Sequence, residues 1–266
     1  MRLSKIYQYI KFAFWFVFKS PQRKFGYLSV WQDIVGIFAY LCLKYFSLFK
    51  LKPISICVGI HNRSDLFLNH FIPSLLSTQH LDSIELSVFD CQSDDIIDLE
   101  IEVRKIWKGK LVFKSENIPF SRSAAFNKAV KQSQNKILFI CDADFSLPSD
   151  LVIKCNKFTL GKLVWFPIVF YLYKNKPNVF DEKHGEWMQW GGKGILACKR
   201  KYFDNIGGLD ESFKTWGKED DDLWMKFYKA RNYVIRSREK GLLHHWHPSL
   251  NPKYQVLADK ADKGLL

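Results

Sequence analysis

Four short apolar runs alternate with longer mixed stretches through the middle of the chain, and this alternation constrains the fold more than any other feature. Residues 54–60 (ISICVGI), 84–89 (IELSVF), 110–114 (KLVFK) and 137–141 (ILFIC) read as strands, being short, rich in β-branched and aromatic residues, and bounded by Pro53 or polar loops. Segments 65–77, 96–107 and 121–133 lie between them and read as helices. Strands that alternate with helices predict an α/β fold with a mostly parallel central sheet flanked by helices. Ligands of such sheets bind outside the carboxyl ends of the strands. His61-Asn62-Arg63, Asp90 and Asp142 all fall at such ends.

The first 53 residues depart from that pattern. They hold nine lysines and arginines against one acid, Asp33, in a 266-residue chain whose formal charge is +13. Two aromatic-rich apolar runs, 6–18 and 34–49, are each interrupted by lysine and fall short of a membrane-spanning length. No small-residue cleavage site follows the first run, which argues against a signal peptide. Apolar helices flanked by Lys19, Arg23 and Lys24 suit an in-plane anchor on an anionic leaflet. A helical hairpin packed on the domain and a spanning anchor are the alternatives. The expectation is a peripheral protein on the cytoplasmic face of a membrane, divided into a membrane-associating segment (1–53), one α/β domain (54–252) and a tail (253–266). Nucleic acid is excluded as a partner, because the basic excess sits on an apolar segment and no nucleic-acid motif is present. The six cysteines are widely spaced, several within apolar runs, and predict buried reduced thiols rather than a zinc site.

Three clusters carry chemistry. Asp142-Ala143-Asp144 follows the fourth strand directly, and alternation along an extended segment points both carboxylates to one side. Two acids that close repel unless a cation or basic groups share them. A hard divalent ion, Mn²⁺ or Mg²⁺, held together with a diphosphate is the natural neutraliser. Trp216-Gly217-Lys218 leads into Glu219-Asp220-Asp221-Asp222, ahead of a helix expected over 223–233. One or two acids there would complement a helix dipole, but four suggest a general base with neighbours that hold sugar hydroxyls, Trp216 supplying an apolar platform. His244-His245-Trp246-His247 places three of seven histidines in four residues and suggests, in a loop, either a metal site or a diphosphate contact.

Together these blocks resemble the GT-A-fold glycosyltransferases, particularly the β-1,4-galactosyltransferase and chondroitin N-acetylgalactosaminyltransferase group. Pro119-Phe120-Ser121-Arg122-Ser123 leading by a helix to Cys141-Asp142-Ala143-Asp144 is similar to the F-S-R…C-D-V-D order of the chondroitin enzymes. Gly191-Gly192, Gly207-Gly208-Leu209-Asp210 and the Trp216–Asp222 block follow in the order of the galactosyltransferases, and His244-His245-Trp246-His247 looks like the H-x-W-H of the chondroitin enzymes. The likeness spans roughly residues 54–252. It implies a Rossmann-like GT-A domain and a metal-dependent, inverting transferase moving galactose or N-acetylgalactosamine from a UDP-sugar. The acceptor would be a glycan or lipid-linked glycan, in surface polysaccharide or glycolipid synthesis.

By the same resemblance Asp144 and His247 would hold the metal, with His244 able to join them. Asp142 would lie by the ribose and metal, Arg122 on the diphosphate and Asp90 on the uracil. Asp220 would be the base, and Glu219 and Asp221 would hold the acceptor. Asn62 and Arg63, in a loop that fits the group loosely, are further donor-side candidates. Ala143 for the usual valine and Lys218 for the usual glycine are departures, and Lys218 sets a long cation beside the acceptor site. Two rivals remain: the same fold with another donor (UDP-N-acetylglucosamine, UDP-glucose or a GDP-sugar), and a silent glycan-binding subunit of a transferase complex.

Overall fold

A computed structural model describes residues 19–45, 49–189, 193–213 and 217–248. The expectations for residues 1–18, Trp216, the Gly191-Gly192 pair and the tail fall outside these. A short 3-10 turn, Pro21–Phe25, leads into α1 (Tyr27–Tyr45). β1 (Ile54–Ile60) follows, then α2, which runs in three pieces: Ser64–Leu66, a π turn at Phe67–Phe71, and Ile72–Leu76. Next come β2 (Ile84–Asp90), α3 (Leu99–Ile106), β3 (Lys110–Ser115), α4 (Arg122–Gln132) and β4 (Ile137–Asp142). The second half contains β5 (Phe145–Ser146), α5 (Leu151–Phe158), β6 (Leu163–Trp165), β7 (Ile168–Leu172), β8 (Gly185–Trp187) and β9 (Leu196–Lys199). It closes with α6 (Arg200–Asn205), α7 (Glu219–Lys229), β10 (Tyr233–Ile235) and β11 (Arg238–His244).

The four expected strands and the three helices between them are present. They form one side of a seven-stranded sheet in the order β10-β6-β9-β4-β1-β2-β3. β4, β1, β2 and β3 are mutually parallel, whereas β9 runs antiparallel to both β4 and β6. β1 and β2 are buried along their full length, as strands covered on both faces must be. α3 begins later than expected because Asp98 caps it, its carboxylate accepting from the Ile101 amide at 3.0 Å. A four-stranded sheet, β5-β11-β7-β8, stands beside the first and brings the histidine segment back toward the end of β4.

Two expectations change. The acidic run does not precede its helix but forms its first turn: α7 begins at Glu219 and ends at Lys229, before the left-handed Arg231. Four acids against the helix N-terminus offset the unpaired amides there, and the apolar spacing further along misplaces the start. The histidine cluster is not wholly a loop, since His244 is the last residue of β11. All six cysteines are free, five of them buried.

Candidate active site

The site forms where β4 stops and β11 ends. Asp144, in the turn after β4, is buried with its Oδ2 3.0 Å from His247 Nε2 and its Oδ1 3.6 Å from His244 Nε2. One ligand atom from each of these three residues falls within 4.8 Å of the others. Backbone pairing fixes the cluster, because His244 pairs with Phe145 across the antiparallel β5–β11 ladder and the His245 amide donates to the Asp144 carbonyl at 2.9 Å. The Tyr171 ring stacks on His244 at 4.0 Å between centroids. His245 turns the other way, its Nε2 2.8 Å from Ser146 Oγ and its ring stacked on His70. Only the outer two histidines therefore face Asp144.

Electrostatics prepare this trio for a cation. Burial pushes the His244 imidazole down to about 4, against the pull of Asp144, so the ring is neutral at pH 7 with a lone pair to give. Burial also opposes charge on Asp144, but His244, His247 and Arg63 together hold its carboxyl below the ordinary range. Asp144 Oδ1 and His244 Nδ1 are buried without hydrogen-bond partners. An orphaned carboxylate oxygen beside two imidazoles matches the oxygen and nitrogen ligands that Mn²⁺ accepts. The residues fit a divalent ion.

Asp142 does not join that trio. Arg122, at the first position of α4, clasps it with two hydrogen bonds of 2.7 Å, Nε to Oδ1 and Nη2 to Oδ2. Nη1 of the same guanidinium pairs with Asp220 Oδ1 and lies 3.7 Å from Glu219, while Nη2 also donates to the Gly194 carbonyl at 3.2 Å. Arg122 thus joins the end of β4 to the start of α7, and its neighbouring carboxylates keep it charged despite burial. The expected sharing of both acids by one cation divides in two: Arg122 neutralises Asp142, and the histidines face Asp144.

The remaining candidates occupy distinct places. Asn62, in a left-handed conformation, accepts from the Asp94 amide at 2.8 Å and so stitches the loop after β1 to the loop after β2. Arg63 Nη2 reaches within 3.2 Å of His247 Nδ1, placing a guanidinium beside the histidine–aspartate cluster. Asp90 is spent within its own loop, accepting from the Ser93 amide and hydroxyl at 2.9 and 2.7 Å and from the Ser115 hydroxyl at 2.8 Å. A uracil contact would have to share those oxygens. Glu219 is buried and accepts from the Gly217 amide at 2.7 Å, which shapes the turn where Lys218 adopts φ 73°. Asp221 is more open and pairs with Lys193 at 2.6 Å.

Lys193, Gly194 and Tyr171 escaped the reading of the sequence. The signal for Gly194 was faint, a third glycine just after Gly191-Gly192. A Cβ there would lie 2.1 Å from Arg122 Nη2 and 2.6 Å from Asp220 Oδ1, so the close approach of backbone to the ion pair requires glycine.

A mixed sheet carrying an acid turn, a histidine strand end and an acidic helix start defines a GT-A-type glycosyltransferase domain. The likeness extends to solved structures: GalNAc-T7 with UDP, GalNAc and Mn²⁺ (TM-score 0.59, 16% identity, 79% of this chain and 48% of that one) and S. aureus TarS 1-349 in complex with UDP (TM-score 0.58, 15% identity, 80% and 70%). The family model for chondroitin N-acetylgalactosaminyltransferase matches residues 52–253, and the chain belongs to that family. Human chondroitin sulfate synthase 3 is 29% identical over 231 residues, covering 76% of this chain and 26% of that protein. Mouse chondroitin sulfate N-acetylgalactosaminyltransferase 1 is 30% identical over 148 residues, 49% of this chain and 28% of that protein. The chain spans about a quarter of the length of these relatives.

Proposed function

We propose that the chain is a metal-dependent, inverting glycosyltransferase that moves galactose or N-acetylgalactosamine from a UDP-sugar to a hydroxyl of a glycan or lipid-linked glycan, in surface polysaccharide or glycolipid synthesis. The observation that carries this reading is the Asp144–His244–His247 cluster, its aspartate buried and partly unpartnered, two residues along from Asp142, where the Arg122 clasp that ends on Asp220 begins. Mn²⁺ or Mg²⁺ held by Asp144, His244 and His247 would supply positive charge to the diphosphate leaving group. Arg63, beside His247, adds a fixed cation on the same side. Arg122 holds Asp220 Oδ1, which leaves Oδ2 to take the proton of an acceptor hydroxyl as its oxygen attacks the anomeric carbon. Direct displacement by that oxygen inverts the anomeric centre. The acceptor contact falls to Asp221 and, as the neighbour of Gly217 in the sequence, to Trp216, while Glu219 shapes the turn at Gly217 and Lys218.

The test is UDP release from UDP-galactose and UDP-N-acetylgalactosamine with a panel of sugar acceptors and added Mn²⁺. Asp220→Asn should lower turnover by about 10²–10⁴ while calorimetry shows UDP still bound with Mn²⁺. Asp144→Asn should lose Mn²⁺-dependent UDP binding as well. Full activity in EDTA, or near-normal turnover in Asp220→Asn, would refute the reading.

A further inference from the structure

α1 presents its residues in the reverse of the order a water-facing helix uses. Ser29, Gln32, Asp33 and Gly36 are buried, whereas Tyr27, Trp31, Ile34, Phe38, Leu41 and Tyr45 are exposed. Those six recur at intervals of four, three, four, three and four, so they form one stripe along a helix about 28 Å long. Leu28 and Ile37 widen the stripe on its two sides. An uninterrupted apolar face of this size is not the scatter of single apolar residues found on ordinary surfaces.

The helix cannot roll to hide the stripe, because its polar face is latched. Gln32 Nε2 donates to the carbonyls of Tyr228 and Asn232 at 3.0 and 2.8 Å. Asp33 accepts from the Tyr228 hydroxyl and pairs with Arg23. Gly36 lies so close to β10 that a Cβ would meet the Val234 carbonyl oxygen at 2.2 Å. Gln22, just before the helix, accepts from Trp224 Nε1 at 3.2 Å. All but the Asp33–Arg23 pair reach α7 or the segment that follows it, so the stripe is held outward by the helix that carries Asp220.

The charges around the stripe identify what covers it. Lys19 and Lys24 are exposed before it, and Lys44, Lys50 and Lys52 at or after its end. The one acid between residues 19 and 53 is Asp33, buried against Arg23. No described helix is long and apolar enough to cross a membrane. A second copy would bring two sets of these lysines together, whereas anionic lipid headgroups neutralise them. We infer that the outer face of α1 seats the protein on the surface of a bilayer containing anionic lipid, the helix lying in the plane with Trp31 and Phe38 among the acyl chains. Anionic lipid is characteristic of a cytoplasmic leaflet, so this is the face expected to carry the protein. The inference stands apart from the transferase reading, since it rests on none of the active-site residues. It gives the latch a purpose, which is to hold the site at a fixed height and angle to a membrane.

The full chain tests it by co-sedimentation with vesicles of phosphatidylcholine alone or with 30 mol% phosphatidylglycerol. The native chain should bind the anionic vesicles at least about tenfold more strongly, the advantage shrinking at high salt. Trp31→Ser with Phe38→Ser should weaken binding by about tenfold or more with the unfolding midpoint retained, because both side chains point away from the fold. Should that variant misfold, Trp31→Phe supplies a second measurement: quenching of tryptophan fluorescence by brominated phosphatidylcholine should fall while binding persists. Undiminished binding of the serine variant would place the lipid contact elsewhere, as in residues 1–18, and overturn the inference. So would unchanged quenching in Trp31→Phe, or a native dimer that the serine variant splits and that ignores vesicles.

Discussion

Arg122→Met removes the cation on which both acidic motifs converge. Methionine keeps much of the side-chain stem but removes the guanidinium, whose carbon lies over the Phe126 ring at 4.7 Å from the centroid, and leaves Asp142, Asp220 and Glu219 facing one another. Breaking a fully buried ion pair costs about 3–5 kcal/mol. Asp142 and Asp220 keep 28% and 31% of their side-chain exposure, so water absorbs part of that cost, whereas Glu219 at 4% has little such relief. The expected loss is therefore at the lower end, about 3 kcal/mol, or about 6–12 °C in melting temperature for a domain of this size. Urea unfolding of native and variant chains at several pH values measures it. The pH trend has a definite sign. Burial already raises the Asp142 and Glu219 carboxyls against the pull of Arg122, so without it they bind protons still more readily when folded, and the variant's deficit narrows as pH falls. A loss under about 1 kcal/mol at pH 7, or a deficit that widens on acidification, would show that Arg122 is not the electrostatic centre of the site.

The sheet was legible where strands are long and covered on both faces. β1 and β2 bury seven residues each, and such runs stand out between polar loops. The strands after β4 were not found: β6 and β8 have three residues each, too few for any period to show, and β9 has four. The second sheet was missed with them, and with it the reason His244 and His247 meet Asp144. The resemblance named His247 and His244 as the pair, and His245 between them faces Ser146 instead. The Asp142–Asp144 pair was legible as a place needing positive charge. That the charge on Asp142 comes from Arg122, twenty residues earlier in the chain, depends on how α4 packs and leaves no local trace. α1 shows the same limit. Its sequence displays the apolar stripe, but only its contacts with Tyr228, Asn232 and Val234 decide which face is turned inward.

Gly194→Ala should displace Arg122 and Asp220 and lower turnover by about 10²-fold, since misplacement of a base by about 1 Å costs that much. Native-like UDP release by that variant would mean the loop yields without moving the pair. Asp33→Ala should remove the acid that pairs with Arg23 and Tyr228 and loosen α1, seen as faster amide exchange over residues 27–45 and a loss of about 3 kcal/mol; unchanged exchange would refute the latch. Glu85→Gln tests the other end of the sheet, where the Glu85 carboxylate accepts from Ser55 Oγ at 2.7 Å and the Gln134 amide at 2.6 Å, with Lys110 Nζ 2.6 Å away. Burial opposes the charge, but Lys110 and these donors prevail and hold the carboxyl below its ordinary 4.5, so the charged form stabilises the fold at neutral pH. Because the folded value is the lower one, that stability is complete above the unfolded value and drains away as pH falls through the folded one. Glu85→Gln should therefore be less stable than the native chain at pH 7 and approach it in strong acid, and a gap that stays constant across the acid range would show that the carboxylate charge contributes nothing there.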